Sequence, residues 1–318
     1  MNTTCMRELD IHKDLPGVAD LIELCFSEQM DQDGREYVHQ IRKLARDIHY
    51  LGIGNPYLRP PVPNFAGLVW EEDGRLVGNL TLISFRRGSQ KVYLIANVAT
   101  HPDYRRRGIG RSLTARALQI VRDRGAESAW LQVRQDNQAA HQLYLDLGFL
   151  ERTVRTTWLL DPPARVKPER LNGDICKVTA RDWPQAVTWF DRIYPPLVSW
   201  NLPFDQQRFR PGWWNALLRA FNGERLEQWA YRADGKLMGV LSWEPSRTSS
   251  DLLWLATPPD SIAVTTRYLL PYALSKLSPV RPLSLNLPAD VDGSPLREIG
   301  FIPQSTLIWM EAPSLNQN

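Results

Sequence analysis

A chain of 318 residues is about twice the size of an ordinary domain, so its length points to two domains of roughly 150 residues each. Hydrophobic residues at 43%, charged residues at 23% and a net charge of +3 place it among globular proteins and do not by themselves call for nucleic acid as a partner. No run of about 18 apolar residues could span a bilayer, the charged start Met1 to Asp10 lacks a signal-peptide pattern, and three scattered cysteines make neither a disulfide framework nor a metal site; the expectation is a cytoplasmic protein without a membrane partner.

In chain order, Val18 to Phe26 and Tyr37 to Ile48 carry apolar residues at helical spacing and predict two helices. Gly52 to Asn64, with four prolines, predicts a loop. The period then changes. Leu68 to Trp70, Leu76 to Phe85 and Val92 to Val98, separated by Asp73-Gly74 and Arg87-Gly88 turns, predict a three-stranded antiparallel meander. A helix over Gly108 to Arg124 follows, then a strand over Ala129 to Val133, a helix over Asn137 to Leu147 stopped by Gly148, and strand residues through Leu160. Asp161 to Asn172 holds three prolines and no periodicity, which makes 161–172 the expected linker between domains at 1–160 and 173–318.

The second half repeats the first. Glu72 to Gly78 recurs as Ala233 to Gly239, Ala99 to Asp103 as Ala256 to Asp260, and Leu145 to Phe149 as Arg297 to Phe301, all in the same order. Three ordered matches argue for a tandem duplication.

The run Arg105-Arg106-Arg107-Gly108-Ile109-Gly110, between a strand ending at Thr100 and a helix, is the chemically loaded stretch. A helix start aims free backbone N–H groups at an anion, Gly108 and Gly110 permit close approach, and Arg105, Arg106, Arg107 and Arg111 add forked donors. Phosphate is the natural guest, although a solvated basic turn has the same local composition. Neither the glycine spacing of a dinucleotide fingerprint nor the Gly-Lys-Ser/Thr of a P-loop is present.

Val98 to Gly110 resembles the acetyl-CoA-binding signature of the GNAT superfamily of N-acetyltransferases, and Asn137-x-x-Ala140-x-x-x-Tyr144-x-x-x-Gly148-Phe149 matches that family's second signature. The resemblance covers residues 6 to 160 and reaches the second half only through the repeat. It implies two GNAT-like α/β domains, each a mixed, mostly antiparallel sheet between helices, packed as a pseudo-dimer. It also implies an acyltransferase that moves an acetyl group from acetyl-CoA directly to a primary amine on a small molecule or peptide. The cofactor site would comprise Val98, Ala99 and Thr100 along the pantetheine arm, Arg105, Arg106, Arg107, Gly108, Ile109, Gly110, Arg111 and Ser112 around the pyrophosphate, and Asn137 and Tyr144 near the sulfur. Tyr144 would be the catalytic acid, because a phenol with an ordinary pKa near 10 can protonate a leaving thiolate. Asn137 is equally placed to cap the helix that follows it.

Many members of that family carry a carboxylate on the strand before the first signature; here the stretch reads Leu94-Ile95-Ala96-Asn97, which leaves the general base unassigned. Glu71 and Glu72 are expected to face solvent, His101 to make structural hydrogen bonds and His141 to lie at the surface. In the second half no Arg-x-x-Gly-x-Gly separates Asp260 from Tyr268, Leu296 stands where the repeat would place Tyr144, and Ala289 where it would place Asn137. The expectation is therefore a degenerate second half, one cofactor per chain, and a monomer or homodimer. An acyl-CoA-binding sensor without turnover is the alternative. The tryptophans of the second half divide into strand residues (Trp229, Trp243, Trp254) and a proline-broken group (Trp200, Trp213, Trp214) expected at an interface or acceptor pocket.

Overall fold

The computed structural model describes residues 4–52, 66–162, 173–221, 223–277 and 279–313. The proline-rich loop after Gly52 and most of the expected linker lie outside the described residues. The elements in chain order are β1 (Thr4–Glu8), α1 (Leu15–Phe26), α2 (Gln32–Gly52), β2 (Ala66–Glu72), β3 (Arg75–Arg87), β4 (Gln90–Thr100), α3 (Ile109–Asp123), β5 (Ser128–Arg134), α4 (Gln138–Asp146) and β6 (Leu150–Leu160). They continue as β7 (Asp174–Lys177), α5 (Trp183–Ile193), α6 (Pro196–Ser199), α7 (Trp213–Phe221), β8 (Glu227–Ala233), β9 (Lys236–Glu244), β10 (Asp251–Ala256), α8 (Ile262–Leu277), β11 (Leu283–Pro288), α9 (Ser294–Ile299) and β12 (Ile302–Pro313).

The chain forms two compact mixed α/β units. The first comprises Met1–Arg152 and Ile308–Asn318; the second comprises Thr153–Leu307. Each unit thus contains part of a strand from the other sequence half: Thr153 to Leu160 belong to unit 2, and the end of β12 belongs to unit 1. The sequence marks the residues through Leu160 as a strand but holds no information about which sheet receives them.

Unit 1 has the strand order β1-β2-β3-β4-β5-β12, with β1, β2, β3 and β4 antiparallel in turn and β5 parallel to β4. β1 is an addition to the expected meander; its five residues are too few to show a period. Val69 joins Leu15, Val18, Ile22, Val38 and Ile41 in the core under α1 and α2. Its neighbour Trp70 points the other way: a Cβ on Gly78 would lie 2.9 Å from the Cβ of Trp70 and 2.7 Å from Ile109 of α3. Successive strand residues face opposite sides, so α1 and α2 cover one face of this sheet and α3 the other. Gly78 is required because α3 leaves no room for a side chain.

Unit 2 repeats this plan in the order β12-β6-β11-β10-β9-β8-β7, with β10 parallel to β11 and antiparallel pairing of β6 with β11, β9 with β10, β8 with β9 and β7 with β8. Gly239 does for α8 what Gly78 does for α3, since a Cβ there would lie 2.3 Å from Thr265. The hairpin turns match in backbone conformation, with Asp73 and Asp234 both at φ 50° before glycines at 80° and 72°. Both helix ends match too: Phe149 N–H donates to Tyr144 O at 3.0 Å and Phe301 N–H to Leu296 O at 2.9 Å. The repeat read from sequence is therefore a structural repeat. Trp229 and Trp254 are core residues, whereas Trp213 and Trp214 stack at 4.0 Å and stay 68% and 61% exposed.

Candidate functional site

The site begins with a defect in β4. Thr81 pairs with Ala96 but Asn79 pairs with Ala99, so β4 carries an extra residue against β3. Asn97 takes up the irregularity at φ 52°, a left-handed conformation that asparagine tolerates better than most residues. The parallel pairing of β4 with β5 runs from Val92–Ser128 to Ile95–Leu131 and goes no further among the described residues, although β4 continues to Thr100 and β5 to Arg134. The two strands part beside the bulge.

Backbone direction on this parted edge follows from alternation. His101 N–H donates to Val77 O, toward β3, so the backbone groups of Val98 and Thr100 point away from β3, toward the opening. Thr100 O receives the Cys25 thiol at 3.3 Å and Arg105 Nε at 3.4 Å. Ala99 is buried and faces β3 through its pairing with Asn79. The Cys25 thiol is held above its ordinary pKa by burial and is correspondingly unreactive.

Past Thr100 the chain makes a short turn capped by the His101 ring, whose Nδ1 accepts Asp103 N–H at 3.3 Å while Arg75 approaches Nε2 at 2.8 Å. Both ring nitrogens are engaged, and His101 is a structural residue. Arg106 and Gly108 then adopt positive φ of 64° and 78°, and α3 starts with no side-chain cap and no acidic residue in its first turn. Ser112 N–H is the first to bond within the helix, to Gly108 O at 2.9 Å, which leaves the amides of Ile109, Gly110 and Arg111 free for an anion. Arg107 stacks on Tyr104 and reaches Glu72 at 3.5 Å; Arg111 reaches Asp146 at 3.4 Å. The arginines are thus held at the loop, mostly exposed. Glu72, and Glu71 in its ion pair with Arg7, are half-buried rather than the solvent-facing residues expected, because each is drawn onto a neighbouring guanidinium.

On α4 the Asn137 side chain accepts Ala140 N–H at 3.1 Å and caps the helix. Tyr144 lies two turns on, 7% exposed, edge-on to Phe149, with no hydrogen-bond partner for its hydroxyl among the described residues. Burial alone pushes its pKa up to about 12, so the phenol is a proton donor throughout the physiological range. His141 is paired with Glu151 at 2.8 Å, away from this chemistry.

Sequence reasoning missed Tyr37 of α2. Asn97 Nδ2 donates to the Tyr37 hydroxyl at 2.9 Å and lies 3.4 Å from Thr81 Oγ1, while Asn79 Nδ2 donates to Asn97 O at 3.0 Å. The helical period of α2 placed Tyr37 in an amphipathic stripe and gave no hint that its polar end meets the bulge.

The corresponding places in unit 2 are built differently. β10 shows no bulge against β9, and α8 starts at Ile262, directly after the short turn Pro259–Ser261, without the arginine-glycine stretch. Leu255, the counterpart of Val98 in the repeat, donates its N–H to the fully buried hydroxyl of Tyr194 at 3.3 Å. Tyr194 is locked by Phe204 and Trp254, and burial lifts its pKa to about 12. Ala289 does not begin a helix, as counting from Gly300 implied; α9 is shorter and its cap position is Gly293.

A bulged β4 parting from a parallel β5, a glycine-broken loop at the start of α3 and a buried phenol on α4 thus stand together in unit 1. Residues 22–149 match the model of the acetyltransferase (GNAT) family. The chain is 44% identical over 62 residues to the [ribosomal protein bS18]-alanine N-acetyltransferase of Escherichia coli, a match covering 20% of this chain and 42% of that protein. It is 34% identical over 94 residues to an uncharacterized N-acetyltransferase of Mycobacterium tuberculosis, covering 30% of this chain and 58% of that one. The chain thus spans about two fifths to three fifths of the length of these curated relatives. Over nearly the whole chain the fold is similar to a GCN5-related N-acetyltransferase of Sphaerobacter thermophilus (TM-score 0.56, 14% identity, 98% and 95% of the two chains). It is also similar to a tandem GNAT protein from the clavulanic acid biosynthesis pathway (TM-score 0.50, 18% identity, 99% and 100%).

Proposed function

We propose that the protein is an N-acetyltransferase that binds one acetyl-CoA in unit 1 and passes the acetyl group directly to a primary amine. What supports this reading is the presence in one unit of the parted β4 edge, the uncapped start of α3 and the buried Tyr144 hydroxyl. Val98 and Thr100 offer backbone groups to the pantetheine amides, as an added strand would. The amides of Ile109 to Arg111, with Arg105, Arg106, Arg107 and Ser112 around Gly108 and Gly110, hold the pyrophosphate; each charge-assisted hydrogen bond of this kind is worth about 1.5–3 kcal/mol. The Asn137 oxygen caps α4, and its Nδ2 has no partner among the described residues.

The reaction needs few parts. A neutral amine attacks the thioester carbon, the C–N bond forms, the C–S bond breaks, and sulfur takes the Tyr144 proton, which the nitrogen's released proton replaces through solvent. Unit 2 is proposed not to bind the cofactor, since its backbone edge is already occupied by Tyr194 and its anion loop is missing. The acceptor is a small-molecule or peptide amine, and the bS18-alanine relative favours a peptide. We place the protein in the cytoplasm, as a monomer or homodimer; no described helix is long and apolar enough to cross a membrane.

The test is thiol release from acetyl-CoA with an amine panel: alaninamide, 1,5-diaminopentane, a hexapeptide with a free N-terminal alanine, and its N-blocked counterpart bearing one lysine. Turnover with any member, lowered about 100-fold in Tyr144→Phe at unchanged acetyl-CoA affinity, is the expected result. Tight binding without turnover would instead make the protein an acyl-CoA sensor.

A further inference from the structure

The four polar side chains at the β4 bulge come from three elements and satisfy mainly one another. Asn79 is fully buried; its Nδ2 holds the Asn97 carbonyl while its Oδ1 has no partner among the described residues. A bare buried carbonyl is costly, so this asparagine is better explained by holding the bulge than by stabilising the fold. The bulge in turn aims the Asn97 amide at Tyr37 and Thr81. Thr81 is buried, whereas Tyr37 and Asn97 are half-buried and form the open side of the cluster, one residue from Val98.

None of the four carries a charge at neutral pH. Burial raises the Tyr37 phenol above its ordinary value, and the others do not titrate. The titratable groups on neighbouring elements are the Cys25 thiol of α1, engaged by Thr100 O, the Arg105 guanidinium beside it, the His101 ring engaged at both nitrogens, and the Tyr144 phenol of α4. No carboxylate is bonded to the cluster among the described residues. Among the described residues an ammonium meets no bonded counter-charge here, but a neutral amine can donate its N–H to a phenol or amide oxygen and keep its lone pair for attack.

We propose that Tyr37 and Asn97, with Asn79 as a positioning residue, form a neutral seat for the acceptor's amino group, which admits the free base and so selects low-pKa amines such as α-amino groups over lysine-like amines. The inference rests on the acetyl-transfer reading above. At pH 7.5 an α-amino group of pKa near 7.9 is about one third free base, and a lysine side chain of pKa near 10.4 about one part in a thousand. The higher intrinsic reactivity of the lysine free base offsets part of that ratio and leaves a preference of at least about tenfold.

The experiment compares kcat/KM for the α-amine and ε-amine members of the panel from pH 6 to 9, in the wild-type chain, Tyr37→Phe and Asn97→Asp, after calorimetric titration of each with acetyl-CoA. Aspartate tolerates the left-handed position as asparagine does, so Asn97→Asp adds a carboxylate at the seat with the backbone kept. The wild type is expected to favour α-amines at least tenfold at pH 7.5, with kcat/KM falling toward tenfold per pH unit below the amine pKa. Asn97→Asp should raise ε-amine use about tenfold and shift the acid limb downward; Tyr37→Phe should raise the amine KM about tenfold with the acetyl-CoA Kd within twofold. Equal use of both amine classes, or parallel pH profiles for wild type and Asn97→Asp with cofactor binding intact, overturns the seat and leaves acetyl transfer standing. Failure of every chain to bind acetyl-CoA, or binding without turnover of any amine, overturns the acetyl-transfer reading and the seat with it.

Discussion

The two units share a fold plan and differ at the edge of one strand. In unit 1, β4 is bulged at Asn97, leaves the Val98 and Thr100 backbone facing an opening, and feeds a four-residue loop, Arg105 to Gly108, before α3. In unit 2, β10 is straight against β9, Leu255 N–H is capped by Tyr194, and α8 follows the turn at once. On the proposed reading, the difference teaches that a site can rest on a strand edge left open, and that the other repeat closes the same edge internally, with Tyr194 on Leu255 N–H, without a change of sheet or helices.

Gly108→Glu attacks the comparison at its strongest point. It forces a side chain into a left-handed position at φ 78° and puts a carboxylate where the helix start would receive phosphate. Acetyl-CoA binding should fall at least 100-fold in calorimetry, with the melting curve lowered by the left-handed strain of about 1–2 kcal/mol and not by a clash, because nothing lies within 4 Å of the added Cβ. Tyr194→Ala tests the other unit. Removing a fully buried aromatic should cost about 3–5 kcal/mol in chemical denaturation, yet cofactor stoichiometry should stay unchanged, since opening the edge does not restore the loop. A second cofactor bound by this variant would show that Tyr194 alone closes unit 2.

Much of this contrast was legible in the sequence. The hairpin glycines at 74 and 235 and the helix-end glycines at 148 and 300 are backbone requirements, and such requirements survive duplication. The arginine-glycine run was legible as a loop at a helix start because its signals are local. What could not be read was non-local: the bulge at Asn97, which depends on register against β3; the meeting of Tyr37 with that bulge; the seating of Tyr194 on Leu255; and the sharing of β6 and β12 between units. Glu71 and Glu72 read as exposed for the same reason, since Arg7 and Arg107 are distant in sequence.

Smaller effects sharpen the comparison. Asn137→Ala removes a cap that α9 lacks at Gly293 and should destabilise unit 1 by about 1 kcal/mol, seen as a lower denaturation midpoint. The buried phenols give a pH signature. Tyr144 and Tyr194 sit at about 12 when folded and near 10 when unfolded, so the unfolded chain releases these protons first. Their contribution to stability is complete below about pH 10 and is lost between about 10 and 12, and the Tyr194→Phe chain should lose less stability over that window than the wild type.

The most direct test of the central claim is a calorimetric titration of the intact chain with acetyl-CoA. One molecule per chain is the predicted result; two per chain, or none, would contradict the division of roles between the units.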